Sequence, residues 1–253
     1  MTRKQLLYLW QYLYAGSGGA IVDGLVLRPN FNDMANLSLT SPSNGSAVFN
    51  GSSDYIDLGT DTIGIETSSF TISYWAYITN TTWRSVQNRG TGSFGNAVGI
   101  QMASSTPIYT MYNTNIENAN GDYINFASSS FTPNVWQYHT LTFDTTTGTG
   151  KLYFDGSLSE TATNANLIGA DFTALDWQIG RANQGSQHLG GNLANVAVWN
   201  RALTSDEINS IMWKRYDLLT AGESTGLVAW YALDDITGTD VPDSTGTYNA
   251  TAY

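Results

Sequence analysis

The chain has 253 residues, 42% hydrophobic and 13% aromatic, with a formal net charge of −11 and only 12% charged residues. So acidic a balance offers no basic patch to neutralise phosphates, which argues against nucleic acid and against an anionic membrane surface as partners. There is no cysteine, so disulfides and thiolate metal sites are excluded, and the apolar runs fall well short of the roughly 20 residues a membrane-spanning helix needs.

Residues 1–20 admit two readings. Arg3 and Lys4, followed by LLYLWQYLYA and GSGGA, have the outline of a secretory leader. Gln11 and three tyrosines suit an apolar leader poorly. Leu6, Leu9, Trp10 and Leu13 instead follow the i, i+3, i+4, i+7 spacing of an amphipathic helix, stopped by Gly16-Ser17-Gly18-Gly19. We take residues 1–19 as a helical arm with a glycine-rich linker. A helix this short is marginal alone in water, so it is expected to dock on its own domain or on a neighbouring subunit. Ile21–Leu27 reads as a strand ended by Pro29, and Asn30–Gly45 is rich in turn signals.

Strand periodicity begins at Ala47. Within Ser69–Ile78, Phe70, Ile72, Tyr74 and Ile78 alternate with Thr71, Ser73, Trp75 and Tyr77. Aromatics on both sides suit a strand with one face in a core and the other partly covered. Thr81–Ser130 is polar, with short strand candidates at Ala97–Met102, Ile108–Tyr112 and Tyr123–Phe126. TLTFD, the turn Thr145–Gly150 and KLYFDG predict a hairpin that turns again at Asp155-Gly156. Thr204–Lys214 is the internal helix: Ser205-Asp206-Glu207 supplies the cap and early negative charge, and Ile208, Ile211 and Met212 form the apolar stripe. Strand-length segments and turns at this spacing predict an all-β sandwich.

Six motifs carry a resemblance: AVFNGSSDYIDLG (Ala47–Gly59), SFTISYWAYI (Ser69–Ile78), VWQYHTLTFD (Val135–Asp144), GKLYFDGSL (Gly150–Leu158), WQIGR (Trp177–Arg181) and GNLANVAVWNRALTSDEI (Gly191–Ile208). Together they resemble the laminin-G-like branch of the concanavalin-A-like lectin/glucanase jelly rolls, over roughly two-thirds of the chain. The resemblance implies a two-sheet antiparallel jelly-roll sandwich with a short helix after its last strand. Gly226–Tyr253 looks like that family's first strand and loop, placed at the carboxyl end. It either completes its own sandwich or pairs with a neighbour; alternatively Ile21–Leu27 supplies the first strand and the tail is an extra edge strand. The expected organisation is therefore an arm at 1–19, a sandwich at 20–225 and a terminal strand segment at 226–253.

Retaining glycosidases of this fold carry Glu-x-Asp-x-x-Glu on one strand, so that alternate carboxylates share a face. Here Glu66, Glu117, Glu160, Glu207 and Glu223 are scattered, and the expectation is a protein that is not an enzyme. His139 reads as a strand histidine satisfied by a neighbour, and His188, in a Gly- and Gln-rich loop, as solvated. Nothing resembles a Ser-His-Asp spacing, a zinc pattern or a phosphate loop. No cofactor is demanded. The resemblance implies Ca²⁺ as the metal candidate, with Asp234, Asp235, Asn50, Gly51 and Asn195 at the matching positions, although Ala194 and Asn195 stand where the family carries paired aspartates. A glycan platform needs an exposed ring flanked by amides or carboxylates. Trp75, Tyr77, Trp83, Tyr109 and Tyr112 are the candidates, each of which also reads as core or interface.

FNGSSDYIDLG followed by such a sandwich looks like modules carried by phage structural proteins. The expectation is a non-catalytic assembly or attachment protein on a virion: a capsid decoration, head-fibre or tail protein. It would associate with itself or with other virion proteins and also bind host glycans, without nucleic-acid binding or membrane insertion. The alternatives are a secreted carbohydrate-binding lectin module and, more remotely, a glycoside hydrolase.

Overall fold

A computed structural model of the chain describes residues 45–59, 63–79, 84–85, 87–89, 98–103, 106–112, 123–127, 132–169, 177–182 and 187–253. The arm at 1–19, the strand expected at Ile21–Leu27, Trp83 and Glu117 lie outside the described residues.

In chain order the strands are β1 (Ala47–Asn50), β2 (Ile56–Asp57), β3 (Phe70–Ile78), β4 (Arg84–Ser85), β5 (Gln87–Arg89), β6 (Val98–Ala103), β7 (Thr106–Tyr112), β8 (Tyr123–Ala127) and β9 (Trp136–Asp144). There follow β10 (Thr149–Phe154), β11 (Ser157–Thr163), β12 (Trp177–Ile179), β13 (Arg181–Ala182), β14 (Gln187–His188), β15 (Gly190–Trp199), β16 (Leu227–Tyr231), β17 (Asp240–Val241) and β18 (Ala250–Ala252). The helix α1 (Ser205–Ile211) lies between β15 and β16.

One antiparallel sheet runs β1-β15-β3-β9-β10-β11, with β16 also paired to β15, and a second runs β17-β18-β2-β12-β5. β1 pairs with Gly190–Leu193 of β15, and β16 with Val196–Trp199. Both lie on the flank opposite β3, so the two segments sit end to end along one strand. β4-β6-β7-β8 and β13-β14 form two smaller antiparallel sets. The architecture is a concanavalin A-like jelly-roll sandwich.

The alternation read in β3 has its physical cause in two different coverings. Phe70, Ile72 and Tyr74 meet Leu141, Phe143, Val196 and Val198 from the same sheet and Ile56, Trp177, Ile179 and Val241 from the other, in one continuous core. Each such side chain contributes about 1.5–3 kcal/mol over its exposed state. On the outer face of the first sheet, Trp75, Tyr138, Trp199 and Trp230 pack under Leu203, Ile208, Ile211 and Met212.

Several polar contacts pin that covering. α1 begins at Ser205, one residue inside the expected Thr204, and Thr204 is itself the cap, its side chain accepting from Glu207 N while the Glu207 side chain accepts from the Thr204 backbone. The helix ends at Ile211, short of Lys214, with Met212 as its C-terminal cap. Beyond it, Glu223 accepts from Lys214 Nζ and Ser210 Oγ, both at 2.6 Å, and from Thr220 N at 2.8 Å. Trp75 Nε1 donates to Met212 O (2.8 Å) and Trp199 Nε1 to Glu223 O (2.9 Å).

The tail contributes to both sheets of its own chain, through β16 in the first and β17 and β18 in the second. The turn between β17 and β18 is organised by Asp243, a buried carboxylate that accepts from the backbone N–H groups of Trp230, Thr245, Thr247 and Tyr248.

Candidate functional site

The outer face of the second sheet carries a built arrangement. Ile56 and Ile179 point into the core, so the strand period of two places Tyr55, Asp57 and Gln178 on the opposite face. Asp57 lies between Gln178 on β12 and Thr251 on β18, its register partners on either side. Next to this row, Tyr55 and Tyr253 exchange backbone hydrogen bonds of 3.2 and 2.9 Å. Their rings stack with centroids 4.8 Å apart and planes 7° from parallel. The Arg181 guanidinium carbon lies 3.5 Å from the Tyr55 ring centroid. Two groups that close cannot share one face of a ring, so Tyr55 is sandwiched between Arg181 and Tyr253.

Gly180 makes this placement possible. Its φ is +85°, and a Cβ there would lie 2.4 Å from the Phe49 ring, so only glycine lets the chain turn from β12 into β13 against the core. Arg181 Nε then donates to Gln178 Oε1 (3.0 Å), Gln178 Nε2 donates to Asp57 Oδ2 (3.2 Å), and Asp57 Oδ1 accepts from Gly59 N (2.8 Å). Each polar group is thus oriented by the next. Tyr253 is 65% exposed, which leaves the outermost ring of the stack open. The sequence reading of His188 is corrected here. It is 6% exposed because β14 pairs it with Arg181, and its ring lies 6.4 Å from that of Tyr55 with Nδ1 3.3 Å from Asp54 O.

An open aromatic ring beside an amide, a carboxylate and a guanidinium can stack on the C–H face of a ligand ring and exchange hydrogen bonds with its hydroxyls. It is not a pair of free carboxylates. Glu66 holds the backbone N–H groups of Ile63 and Gly64, Glu207 belongs to the α1 cap, Glu223 to the Lys214 contact, and Glu160 sits on β11 opposite Leu152. His139 is fully buried between Tyr74 and Phe154, and burial pulls it down to about 3, so it is a neutral core residue.

Of the aromatic candidates from sequence, Trp75 is corrected: it is 2% exposed, bonded to Met212 and covered by α1, so it presents no ring face. Tyr77 is half-buried 6.0 Å from Trp136, on the other sheet from the Tyr253 stack. Tyr109 and Tyr112 lie on β7, with side chains outside the description. The residues the sequence reading missed are Tyr55, Asp57, Gln178, Arg181 and Tyr253. The only signal for Tyr55, Asp57, Gln178 and Arg181 was that DYIDLG and WQIGR stood among the motifs of the resemblance, and for Tyr253 its place in the tail that looks like the family's first strand and loop.

The five Ca²⁺ candidates do not assemble. The Asn50 amide oxygen accepts from the backbone of Ser52, Ser53 and Asp54, and its amide nitrogen donates to Ser53 and Asp54, so it closes its own turn around Gly51. Asn195 and Asp234 line a common cleft. Asp235 is exposed, its carboxyl held above the ordinary range by partial burial and by the neighbouring Asp234 charge. Among the described residues no three His, Cys, Asp or Glu side chains are grouped to hold a metal.

The family model of the concanavalin A-like lectin/glucanases superfamily matches residues 50–209. Among solved structures, the chain is similar to a candidate carbohydrate binding protein from Bacteroides ovatus, with a TM-score of 0.59 and 22% identity. That match covers 81% of this chain and 57% of the Bacteroides protein, so the chain spans little more than half the length of that relative. It is also similar to the IT-sialidase CBM40 of Ruminococcus gnavus bound to α2,3-sialyllactose, with a TM-score of 0.52 and 16% identity over 68% of this chain and 100% of that one. At these identities the likeness is one of fold. No curated protein matches the chain.

Proposed function

Because the chain belongs to the concanavalin A-like lectin/glucanases superfamily, we propose that it is a non-catalytic glycan-binding module whose contact surface is the Tyr253–Tyr55–Arg181 stack with the Asp57–Gln178 row beside it. The observation that carries this reading is the open Tyr253 ring, backed by a second ring and a guanidinium and flanked by side chains already oriented by one another. Pre-oriented contacts need little ordering when a ligand arrives. The fold likeness to two proteins named for carbohydrate binding supports it, as does the structural employment of Glu66, Glu207 and Glu223. Binding on this face needs no metal, and EDTA is expected to leave it unchanged.

The test is a glycan array probed with the full chain, followed by calorimetry on any ligand found. Tyr253→Ala, at an exposed position, is expected to weaken binding about tenfold or more, equivalent to ~1.4 kcal/mol, and Arg181→Ala to weaken it as well. A silent array, or affinity untouched by both substitutions, rules the surface out.

An assembly role is the second reading, favoured by the apolar stripe Leu6, Leu9, Trp10 and Leu13. In it the arm fixes the module to copies of itself or to other proteins of a phage virion, and the sandwich serves attachment to the host. Light scattering that gives the same mass for the full chain and for a deletion of residues 1–19 removes the self-assembly part of this reading. Failure of the full chain to bind purified phage particles removes the virion part.

A further inference from the structure

The turn that carries the chain from the first sheet to the second holds a reactive arrangement. β1 ends at Asn50, β2 begins at Ile56, and Gly51 follows Asn50 with φ +78°. Asn50, Ser52 and Ser53 are exposed, so water reaches the turn. The Asn50 amide oxygen accepts from Ser52 N at 2.8 Å, Ser53 N at 2.9 Å, Asp54 N at 3.3 Å and Ser52 Oγ at 3.0 Å. Its amide nitrogen donates to Ser53 Oγ at 2.7 Å and to Asp54 Oδ1 at 2.6 Å.

A neutral amide oxygen offers two lone pairs, whereas four donors surround this one. The surplus matches an oxygen that carries a full negative charge, because hydrogen bonds to an ionised acceptor are about twice as strong as neutral ones. Donors fixed in advance around an oxygen lower the barrier to a step that charges it. Attack of the Gly51 backbone nitrogen on Asn50 Cγ is such a step. Glycine has no Cβ to hinder the approach, and the contact from Asn50 Oδ1 to Ser52 N folds the side chain back over the Gly51 peptide.

We propose that Asn50–Gly51 is a self-modifying site, its turn serving as the oxyanion hole for conversion of Asn50 to aspartate and isoaspartate. The Gly51 N–H gives its proton to solvent hydroxide, its nitrogen bonds to Asn50 Cγ, and the Cγ–Oδ1 π pair moves onto Oδ1 among the four donors. The pair then returns, the Cγ–Nδ2 bond breaks, and Nδ2 leaves as ammonia with a proton from water. Water opens the five-membered imide at Cγ to give aspartate, or at the main-chain carbonyl to give isoaspartate. The product sets a second carboxylate where an N–H donor stood 2.6 Å from Asp54 Oδ1, and like charges so close repel. Asp54 leads directly into Tyr55, the middle ring of the stack, and its carbonyl oxygen lies 3.3 Å from His188 Nδ1. Conversion therefore loosens Tyr55 and, resting on the reading of that stack as a contact surface, lowers affinity as the protein ages.

The experiment keeps the full chain in mildly alkaline buffer, folded and, in parallel, unfolded in guanidinium chloride. Peptide mass spectrometry follows the amide-to-acid mass gain at Asn50. In the unfolded chain Asn50 should convert at the pace of Asn44 and Asn120, which also precede glycine. In the folded chain it should convert about tenfold faster than it does unfolded. Ser52→Ala removes one donor at an exposed position and should slow the folded rate about fivefold, the worth of one hydrogen bond, with circular dichroism unchanged. Asn50→Asp, which builds the product in from synthesis, should shift the ring-proton resonances of Tyr55 and Tyr253. The proposal is overturned if folded Asn50 converts no faster than unfolded Asn50, or if Ser52→Ala leaves the rate unchanged. Its link to the stack is overturned if Asn50→Asp leaves both sets of ring resonances in place. None of these readouts uses a glycan, so a silent array overturns the contact-surface reading alone.

Discussion

His139 shows what the interior of this sandwich does to a titratable ring. In the unfolded chain it takes up a proton near 6.5, whereas burial between Tyr74 and Phe154 keeps it neutral down to about 3. As pH falls, the unfolded chain therefore binds the proton first. The stability tied to the neutral ring is complete above about 6.5 and is lost as pH drops from there towards 3. Urea unfolding at intervals across that window should show a declining midpoint, and His139→Gln should flatten the decline. A wild-type midpoint constant through the window refutes it. At this scale the sequence was legible for His139 only as a strand residue; its burial comes from Tyr74 and Phe154, which local sequence does not bring to it. The sequence misled for His188 and Trp75, because the partners that bury them lie far away in the chain. The His188 ring meets Tyr55 and Asp54, more than a hundred residues earlier, and Trp75 is covered by a segment more than a hundred residues later. Tyr55 and Tyr253 were missed for the same reason: nothing local brings together two rings near opposite ends of the described chain.

At the scale of elements, the segment between β15 and β16 behaves as a clamped cover. Its amino end is held by the Thr204–Glu207 cap and by Thr71 Oγ1, which donates to Arg201 O and accepts from Leu203 N. Its far end is held by Glu223. Thr204→Ala is expected to cost about 1 kcal/mol, the usual loss for a helix cap, measured by denaturant unfolding; no change beyond error would show that packing alone fixes the helix. Glu223→Gln should cost more, because it removes the partner of the nearly buried Lys214 ammonium. Burial opposes the Glu223 charge, yet the contacts from Lys214, Ser210 and Thr220 outweigh it and hold the carboxyl well below its ordinary value. α1 was legible because capping and apolar stripes are local signals. The exact cap was not, since Thr204, Ser205 and Asp206 are all competent capping residues and only the fold chooses among them.

At the scale of the molecule, residues 227–252 thread both sheets. Truncation after residue 225 strips Val196–Trp199 of its partner on one flank and removes β18 from β2. It also removes Trp230, Tyr231 and Val241 from the packed interior. Such a chain should fail to give a cooperative melting transition and should aggregate through the bare edge; a sharp transition near that of the full chain would show the tail to be dispensable. The sandwich was legible from its alternating strands, and the tail was legible as a segment that needed a strand partner. Its end-to-end seat beside β1 was not, because register along a shared neighbour is a tertiary property.

That seat has a kinetic consequence. β15 gains one flank partner from residues 47–50 and the other from residues 227–231, so the sheet closes only by joining segments separated by most of the chain. Such pairings are entropically slow to form. A chain emerging from the ribosome would hold β15 half-partnered, with the Val196–Trp199 edge bare, until residues beyond 227 cleared the exit tunnel. Synthesis would then set the pace of closure, and a pause within that last stretch would be the moment of greatest exposure to a chaperone or a protease.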